Sequence, residues 1–336
     1  MQINTALHID RTHPKVDGTC NISVRLIFER IKKYYPTGLA LTPEDFDKSQ
    51  GIKPRNEHKK NSLKLHILEK KATDIIKVLP LFSFIAFEKK YYNSTVLLSE
   101  YRILNCSLER VYFGDKCVVN TINQYSFTIA EINDEFKTAL LNSDVLLPDG
   151  GSITTALELL SDQYVKKITG ADLHDFLLKK LNKNNGRCFY LGSTNQTLSL
   201  IKKRLSVEYP NIKMAFYSPP FKKDFTVNEN REMINLINKF NPEVLFVGMT
   251  APKQEKWTYQ NKVVLNAKII CAIGAVFDFY AKTVNRPSLF WQNLGLEWFI
   301  RLVKEPRRMF KRYLFYGPIF IFHIAKIKFK ILLKLT

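Results

Sequence analysis

RCFYLGSTNQTLSLIKKRLSVEYPNIKMAFYS, residues 187–218, decides how the rest of the chain is read. An apolar run, RCFYLGS, ends in a glycine turn. A helical stretch over 195–208 follows, and a second apolar run, IKMAFYS, closes the unit. Two short apolar runs joined through a helix predict parallel strands with a crossover, since antiparallel neighbours need only a tight turn.

Outward from this unit the alternation continues. Further strands are expected at KCVVNTI, DVLLP, EVLFVGM and AKIICAIG, with helices at 132–142, 152–161, 171–184 and 228–240. The predicted fold class is α/β, a Rossmann-like parallel sheet with helices on both faces. Ligands of such sheets bind beyond the carboxyl ends of the strands, where loops meet helix N-termini. Residues 100–286 are assigned to this core.

Residues 1–95 have a different texture and predict a small, basic α+β module. NISVRLIFE (21–29) alternates as a half-buried strand does, and KKYYPTGLAL follows it as the second arm of a hairpin. TPEDF marks a helix start, with Thr42 as N-cap and Pro43 in the first helical position. A basic helix over 60–79 is expected to carry Leu63, Ile67, Ile75 and Leu79 on one side.

Residues 287–336 form the third region, a basic, aromatic C-terminal appendage. From Arg301 to Thr336 it holds ten Lys or Arg against one acid, Glu305. LFYGPIFIFHIA (314–325) is apolar, and Lys326, Lys328, Lys330 and Lys334 follow it. Such a segment suits the surface of an anionic leaflet; the alternative is a helix docked on its own domain. No run reaches the ~18 apolar residues of a spanning helix.

The whole chain, 336 residues with 46% hydrophobic and 24% charged, is globular in composition. Its net charge of +20 calls for a polyanionic partner: nucleic acid, an anionic membrane or a phosphorylated substrate. Five scattered cysteines without a C-x-x-C pair argue against a disulfide framework or a zinc site. The N-terminus lacks a signal-peptide pattern. The expected location is the cytoplasm, at the inner face of the plasma membrane.

Chemistry is sought at strand ends. LLPDGGS (146–152) sets Asp149 between a strand and a helix, where a carboxylate can accept a proton from a hydroxyl. The tripeptide alone favours a plain N-cap or turn. VVNTINQYS (118–126) offers Thr121 and Asn123 to sugar hydroxyls, or to a turn. FYLGSTNQT (189–197) places Gly192 and Ser193 where backbone N–H groups could hold a nucleotide phosphate or ribose, the helix starting at Ser193 or Thr194. FVGMTAPKQEKW (246–257) repeats that layout with Gly248, and puts Lys253 and Gln254 at a helix start facing the crevice. Asp278 in AIGAVFDFYA stands at a third edge, where capping is an equal reading. Arg301, Arg307, Arg308 and Arg312 in GLEWFIRLVKEPRRMFKRY have the forked geometry that phosphate oxygens favour. No D-x-D and no metal-ligand spacing occurs from residue 100 onward, so no metal or other cofactor is expected.

Taken in order, VVNTIN, LNSDVLLPDG, ITGADL, CFYLGS, YPNIK, FNPEVLFVGMTAPKQEKW, AIGAVFDFYAKTVNRPS and GLEWFIRLVKEPRRMFKRY resemble the WecG/TagA/CpsF family of bacterial glycosyltransferases. The resemblance implies an inverting, metal-independent transfer from a UDP-sugar, commonly of N-acetylmannosamine type, to a polyprenyl-diphosphate-linked acceptor in cell-surface polysaccharide synthesis. It implies Asp149 as general base, with Thr121 and Asn123 in the pocket beside it and Gln254 at its edge. Arg301, Arg307, Arg308 and Arg312 match an appendage that binds diphosphate at the membrane. After P-D-G the chain departs from the family pattern: GSITTALELL carries Ser152 and Thr154, a change expected to touch sugar specificity.

The first ~95 residues resemble instead the arm-type DNA-binding region of tyrosine recombinases, through KVDGTCNISVRLIF, KKYYPTGLALTPEDFD, IKPRN and LPLFSFIAFEKKYY. That resemblance implies DNA as a partner of residues 1–95, and the chain reads as a fusion. The rival functional reading is a DNA-binding fusion protein whose transferase region is inactive. The oligomeric state, a homo-oligomer included, is left open.

Overall fold

The computed structural model of the chain describes residues 3–161, 163–284, 287, 291 and 297–333. Asn285, Arg286 and Ser288 of the AIGAVFDFYAKTVNRPS motif, Gly295 and Leu296 of the C-terminal motif, Lys334 and the Arg308 side chain lie outside them. The chain forms two compact units, Met1–Tyr92 and Asn93–Thr336.

In the first unit, β1 (Asn4–Ile9), β2 (Cys20–Phe28) and β3 (Ile31–Leu41) make an antiparallel sheet in that order. α1 (Pro43–Ser49) starts as expected, with Thr42 Oγ1 accepting from the Asp45 N–H. α2 (Asn56–Lys77) and α3 (Phe84–Tyr92) cover one sheet face. Alternation along β2 buries Ile22, Val24 and Leu26 against Leu65 and Ala72 of α2 and Phe87 and Tyr91 of α3. The expected inward side of α2 is only half right. Ile75 and Leu79 pack on this core, but Leu63 and Ile67 are 61% and 57% exposed. Each stands two residues from fully buried Leu65, a rotation of about 200° around the helix axis. Leu79 lies beyond the last turn of α2.

The second unit opens with a hairpin, β4 (Thr95–Leu98) and β5 (Tyr101–Leu104), which periodicity had not marked. Its centre is a six-stranded, wholly parallel sheet of β6 (Cys117–Ile122), β7 (Val145–Pro148), β8 (Arg187–Gly192), β9 (Lys213–Tyr217), β10 (Val244–Gly248) and β11 (Ile269–Ala272). The strand order is β7-β6-β11-β10-β8-β9. The intervening helices are α4 (Gln124–Ala130), α5 (Asp134–Leu141), α6 (Gly151–Ser161), α7 (Gly170–Lys183), α8 (Asn195–Glu208), α9 (Val227–Phe240), α10 (Lys253–Asn261) and α11 (Gly274–Tyr280). The helix expected over 132–142 is α5 alone. α4 precedes it because Asn123 and Asn133 each cap a separate start, accepting from Ser126 N–H and Phe136 N–H. Asp278 lies inside α11, not at its start.

Strand alternation sends Val119, Val145 and Leu147 toward α7, α8 and α11, and Val118, Ile122 and Leu146 toward α4, α5, α9 and α10. Helices therefore cover both faces, and the strands read as near-continuous apolar runs because neither face meets water.

After α11 the chain continues in α12 (Glu297–Lys304), α13 (Pro306–Phe310), a π-helical turn over Lys311–Phe315 and α14 (Tyr316–Leu332). α14 lays Phe320 and Ile324 into the core beside Phe127, Ile153 and Leu157. Its other side leaves Phe322 and Phe329 exposed, as is Phe315 in the turn before it. The segment is therefore docked on its own unit along one side, as the alternative reading expects. No helix among the described residues is long and apolar enough to cross a membrane.

β8 and β10 end together at Gly192 and Gly248. Gly192 has φ +119°, and a Cβ there would sit 2.3 Å from the Gly248 carbonyl oxygen. Gly192→Ala is therefore expected to lower unfolding stability by at least about 2 kcal/mol. Urea denaturation of the two proteins, with unchanged m-value, measures this.

Candidate active site

All six parallel strands deliver their carboxyl ends to one edge, and Thr121, Asn123, Asp149, Gly192, Ser193 and Gly248 lie along it. β6 and β11 are neighbours, yet α4 after β6 and α11 after β11 pack on opposite faces. Strand-order switch points of this kind part the loops into a ligand crevice, which makes this edge the candidate one.

On the β6–β7 side, Thr121 pairs with Leu147 and Ile122 with Pro148. The ladder extends one step further, with Asp149 N–H donating to the Ile122 carbonyl at 2.9 Å. This bond fixes Asp149, half-buried, directly beside the Thr121–Asn123 strand end. Gly150, with φ +137°, stands between Asp149 and α6, so Asp149 is one residue outside the position that precedes the helix. A Cβ on Gly150 would lie 3.6 Å from Asn123 Cβ. Asn123 does cap α4: its Oδ1 accepts from Ser126 N–H at 3.0 Å, and Ser126 Oγ accepts from Asn123 N–H at 2.8 Å. The bland and functional readings of Asn123 are compatible, because the reciprocal cap uses its oxygen and leaves the amide nitrogen to other duties.

Across the sheet, Gly192 and Ser193 close over β10, with Ser193 N–H donating to the Gly248 carbonyl at 3.0 Å. The Ser193 carbonyl accepts from Ser218 Oγ at 2.7 Å, tying in the end of β9. Thr194, not Ser193, caps α8 by accepting from Thr197 N–H.

Lys253 and Gln254 occupy the first turn of α10, as expected, but their side chains bind protein groups. Lys253 Nζ donates to the Lys222 carbonyl and lies 3.5 Å from the centre of the Phe225 ring. Burial lowers its pKa. It ties the 218–226 loop to the crevice rim. Gln254, 6% exposed, uses Oε1 to accept from Met249 N–H at 3.2 Å and Gly274 N–H at 3.0 Å. Its Nε2 donates to Glu255 Oε1 at 2.8 Å. Glu255 is fully buried beside it, and burial pushes its carboxyl up to about 7.

The appendage reaches the crevice from both flanks. The Arg312 guanidinium stacks on Tyr125 in the first turn of α4, 4.6 Å from the ring centre, and Tyr125 meets Tyr316 edge-on. Arg301 lies 5.6 Å from the Phe279 ring of α11, and its buried Nε has no hydrogen-bond partner among the described residues. Arg307 is exposed on α13. Two of the four expected arginines are thus held beside the elements that border the crevice. Tyr125 and Phe279, the platforms, carried no sequence signal beyond being aromatic, since cation–π partners here are far apart in the chain.

Residues 96–332 match the glycosyl transferase WecG/TagA/CpsF family. Over 204 residues, 60% of this chain and 77% of the relative, the chain is 31% identical to the N-acetylglucosaminyldiphosphoundecaprenol N-acetyl-beta-D-mannosaminyltransferase of Bacillus subtilis (strain 168). It is 26% identical over 226 residues, 66% of the chain and 86% of the relative, to the protein of the same name in Staphylococcus aureus (strain MW2). A parallel sheet whose carboxyl edge carries motifs that the family match spans agrees with that kinship, and the chain belongs to the WecG/TagA/CpsF family of glycosyltransferases.

Proposed function

We propose that the second unit moves a sugar, of N-acetylmannosamine type, from a UDP-sugar to a polyprenyl-diphosphate-linked N-acetylglucosamine, with inversion and Asp149 as general base. The observation that carries the reading is the fixing of Asp149 beside Thr121 and Asn123 by its bond to the Ile122 carbonyl. The named activity of the relatives from B. subtilis and S. aureus supports the choice of sugars.

In this reading the donor lies along the carboxyl edge, its nucleotide end near Gly192, Ser193 and Gly248. Its sugar lies near β6, three strand spacings or roughly 14 Å away. The Asp149 carboxylate takes the proton from an acceptor hydroxyl. That oxygen attacks the sugar's anomeric carbon from the side opposite the diphosphate, the carbon–oxygen bond to phosphate breaks, and UDP leaves with the electron pair. Thr121 and the Asn123 amide nitrogen orient hydroxyls. Arg301 and Arg312, with Arg307 and Arg308, neutralise the acceptor diphosphate in place of a divalent ion. Gln254 and Lys253 serve the site by holding its loops.

Asp149→Asn keeps the shape and removes the base, so turnover should fall by about 10²–10⁴ with the urea midpoint unchanged. UDP release from a UDP-sugar in the presence of a lipid-diphosphate N-acetylglucosamine acceptor is the measurement, and wild-type release should persist in EDTA. Undiminished release by the variant would remove Asp149 from this role.

The exposed side of α14, with Phe322 and Phe329 beside Lys326 and Lys330, is proposed to rest on an anionic membrane surface. Phe320 and Ile324 belong to the core, so the fair test leaves them in place. Phe322→Asp with Phe329→Asp should shift the full chain from pelleting with anionic vesicles to the supernatant, without loss of thermal stability.

The first unit is proposed to bind DNA through the sheet face opposite α2 and α3. There the register aligns Ala6, Arg25 and Tyr34 in one row and Asn4, Ile27 and Lys32 in the next. His8 and Tyr34 stack edge-on at 4.7 Å on the same face. Arg25→Ala with Lys32→Ala in the full chain should weaken duplex binding in a gel-shift titration and flatten its salt dependence. UDP release should not change.

A further inference from the structure

Glu255 has no role in the reaction as described, yet it is one of the most buried carboxyl groups in the chain, 2% exposed. α10 is a nine-residue helix whose inward residues include Gln254, Glu255, Thr258 and Asn261, an unusual choice for a face packed against a sheet. Part of this polar layer is self-contained: Trp257 Nε1 donates to Asn230 Oδ1, Asn230 Nδ2 to Asn261 Oδ1, and Asn261 Nδ2 to the Trp257 carbonyl. Glu255 stands outside that ring. One of its oxygens accepts from Gln254 Nε2 at 2.8 Å, and the other, Oε2, has no partner among the described residues.

The Gln254 amide has two orientations that differ by a half-turn. In the one observed, its oxygen faces two N–H donors, from Met249 and Gly274, and its nitrogen faces a carboxyl oxygen. The half-turn would set an NH2 group against two N–H donors and an oxygen against the carboxyl. The two N–H donors disfavour the flipped state, and Glu255 adds to the difference by giving the amide nitrogen an acceptor in the observed one. What the amide holds is a narrow seam: a Cβ on Gly274 would lie 2.3 Å from the Met249 carbonyl oxygen and 2.6 Å from Gln254 Oε1. The seam joins the loop after β10 to the first residue of α11, and α11 carries Phe279, on which Arg301 rests.

We propose that Glu255 is a positioning residue for sugar transfer, fixing the Gln254 amide so that the Met249 and Gly274 loops, and through α11 the Arg301 platform, stand in reactive register. The proposal rests on the glycosyltransferase reading of the crevice. Small misplacements of groups around a reacting centre cost up to about 100-fold in rate, so the effect belongs mainly in kcat.

The test uses the full chain with two substitutions of similar volume. Glu255→Met fills the space without an acceptor; Glu255→Gln keeps an acceptor oxygen for Gln254. Backbone amide signals of Met249 and Gly274 are followed by 15N NMR without substrate, and UDP release gives kcat and KM. Glu255→Met should move both amide signals and lower kcat by about 10- to 100-fold, with both KM values changed by no more than about threefold. Glu255→Gln should restore signals and kcat. Unmoved amides in Glu255→Met, or a Glu255→Gln protein as impaired as Glu255→Met, would overturn the proposal. Amides that move in Glu255→Met while the unaltered chain turns over no UDP-sugar would overturn the transferase reading and the catalytic part of the proposal with it.

Discussion

Every strand of the large sheet runs in the same direction, and that constraint shapes everything at its carboxyl edge. Parallel pairing forbids a direct turn back, so each strand must be followed by a loop and a helix before the next begins. Six such loops are thereby gathered along one edge, and strands as far apart in the chain as β6 and β11 end side by side without any special folding device. The ladder bonds continue past the strand ends, from Asp149 N–H to the Ile122 carbonyl and from Ser193 N–H to the Gly248 carbonyl. The loops start from a fixed register, which is the preorganisation a polar reaction needs.

The appendage shows a different way of attaching charge to a site. The Arg312 and Arg301 guanidinium groups lie 4.6 Å and 5.6 Å from the ring centres of Tyr125 and Phe279, and contact with a ring face leaves the positive charge uncancelled. Aromatic platforms hold an arginine while keeping it cationic toward a ligand.

Much of this was legible from residue order. Short apolar runs with glycine turns located all six strands of the sheet, because buried parallel strands have no polar alternation to confuse the reading. Thr42 and Pro43 marked the start of α1 through chemistry confined to four residues. Harder were features decided by distant partners. Leu63 and Ile67 of α2 are apolar like Leu65, and only the position of the sheet makes one of them inward. The helix start at Lys253 and Gln254 was legible, but the groups their side chains meet, Gly274, Phe225 and the Lys222 carbonyl, are set by loops twenty or more residues away. Glu255 was hidden in plain view within P-K-Q-E, since burial of a carboxyl leaves no mark on a motif.

The glycines that end β8 and β10 face unequal obstacles. At Gly248 the atoms in the way are the ring carbons of Phe277, 2.5–2.7 Å from a built Cβ, and a smaller residue at 277 would clear them. At Gly192 the obstacle is the peptide of Gly248 itself, which every amino acid shares. Mutational drift through this crevice is therefore lopsided. Position 248 can be revised in tandem with a partner on α11, opening or narrowing the end of β10, whereas position 192 has no partner whose change could make room.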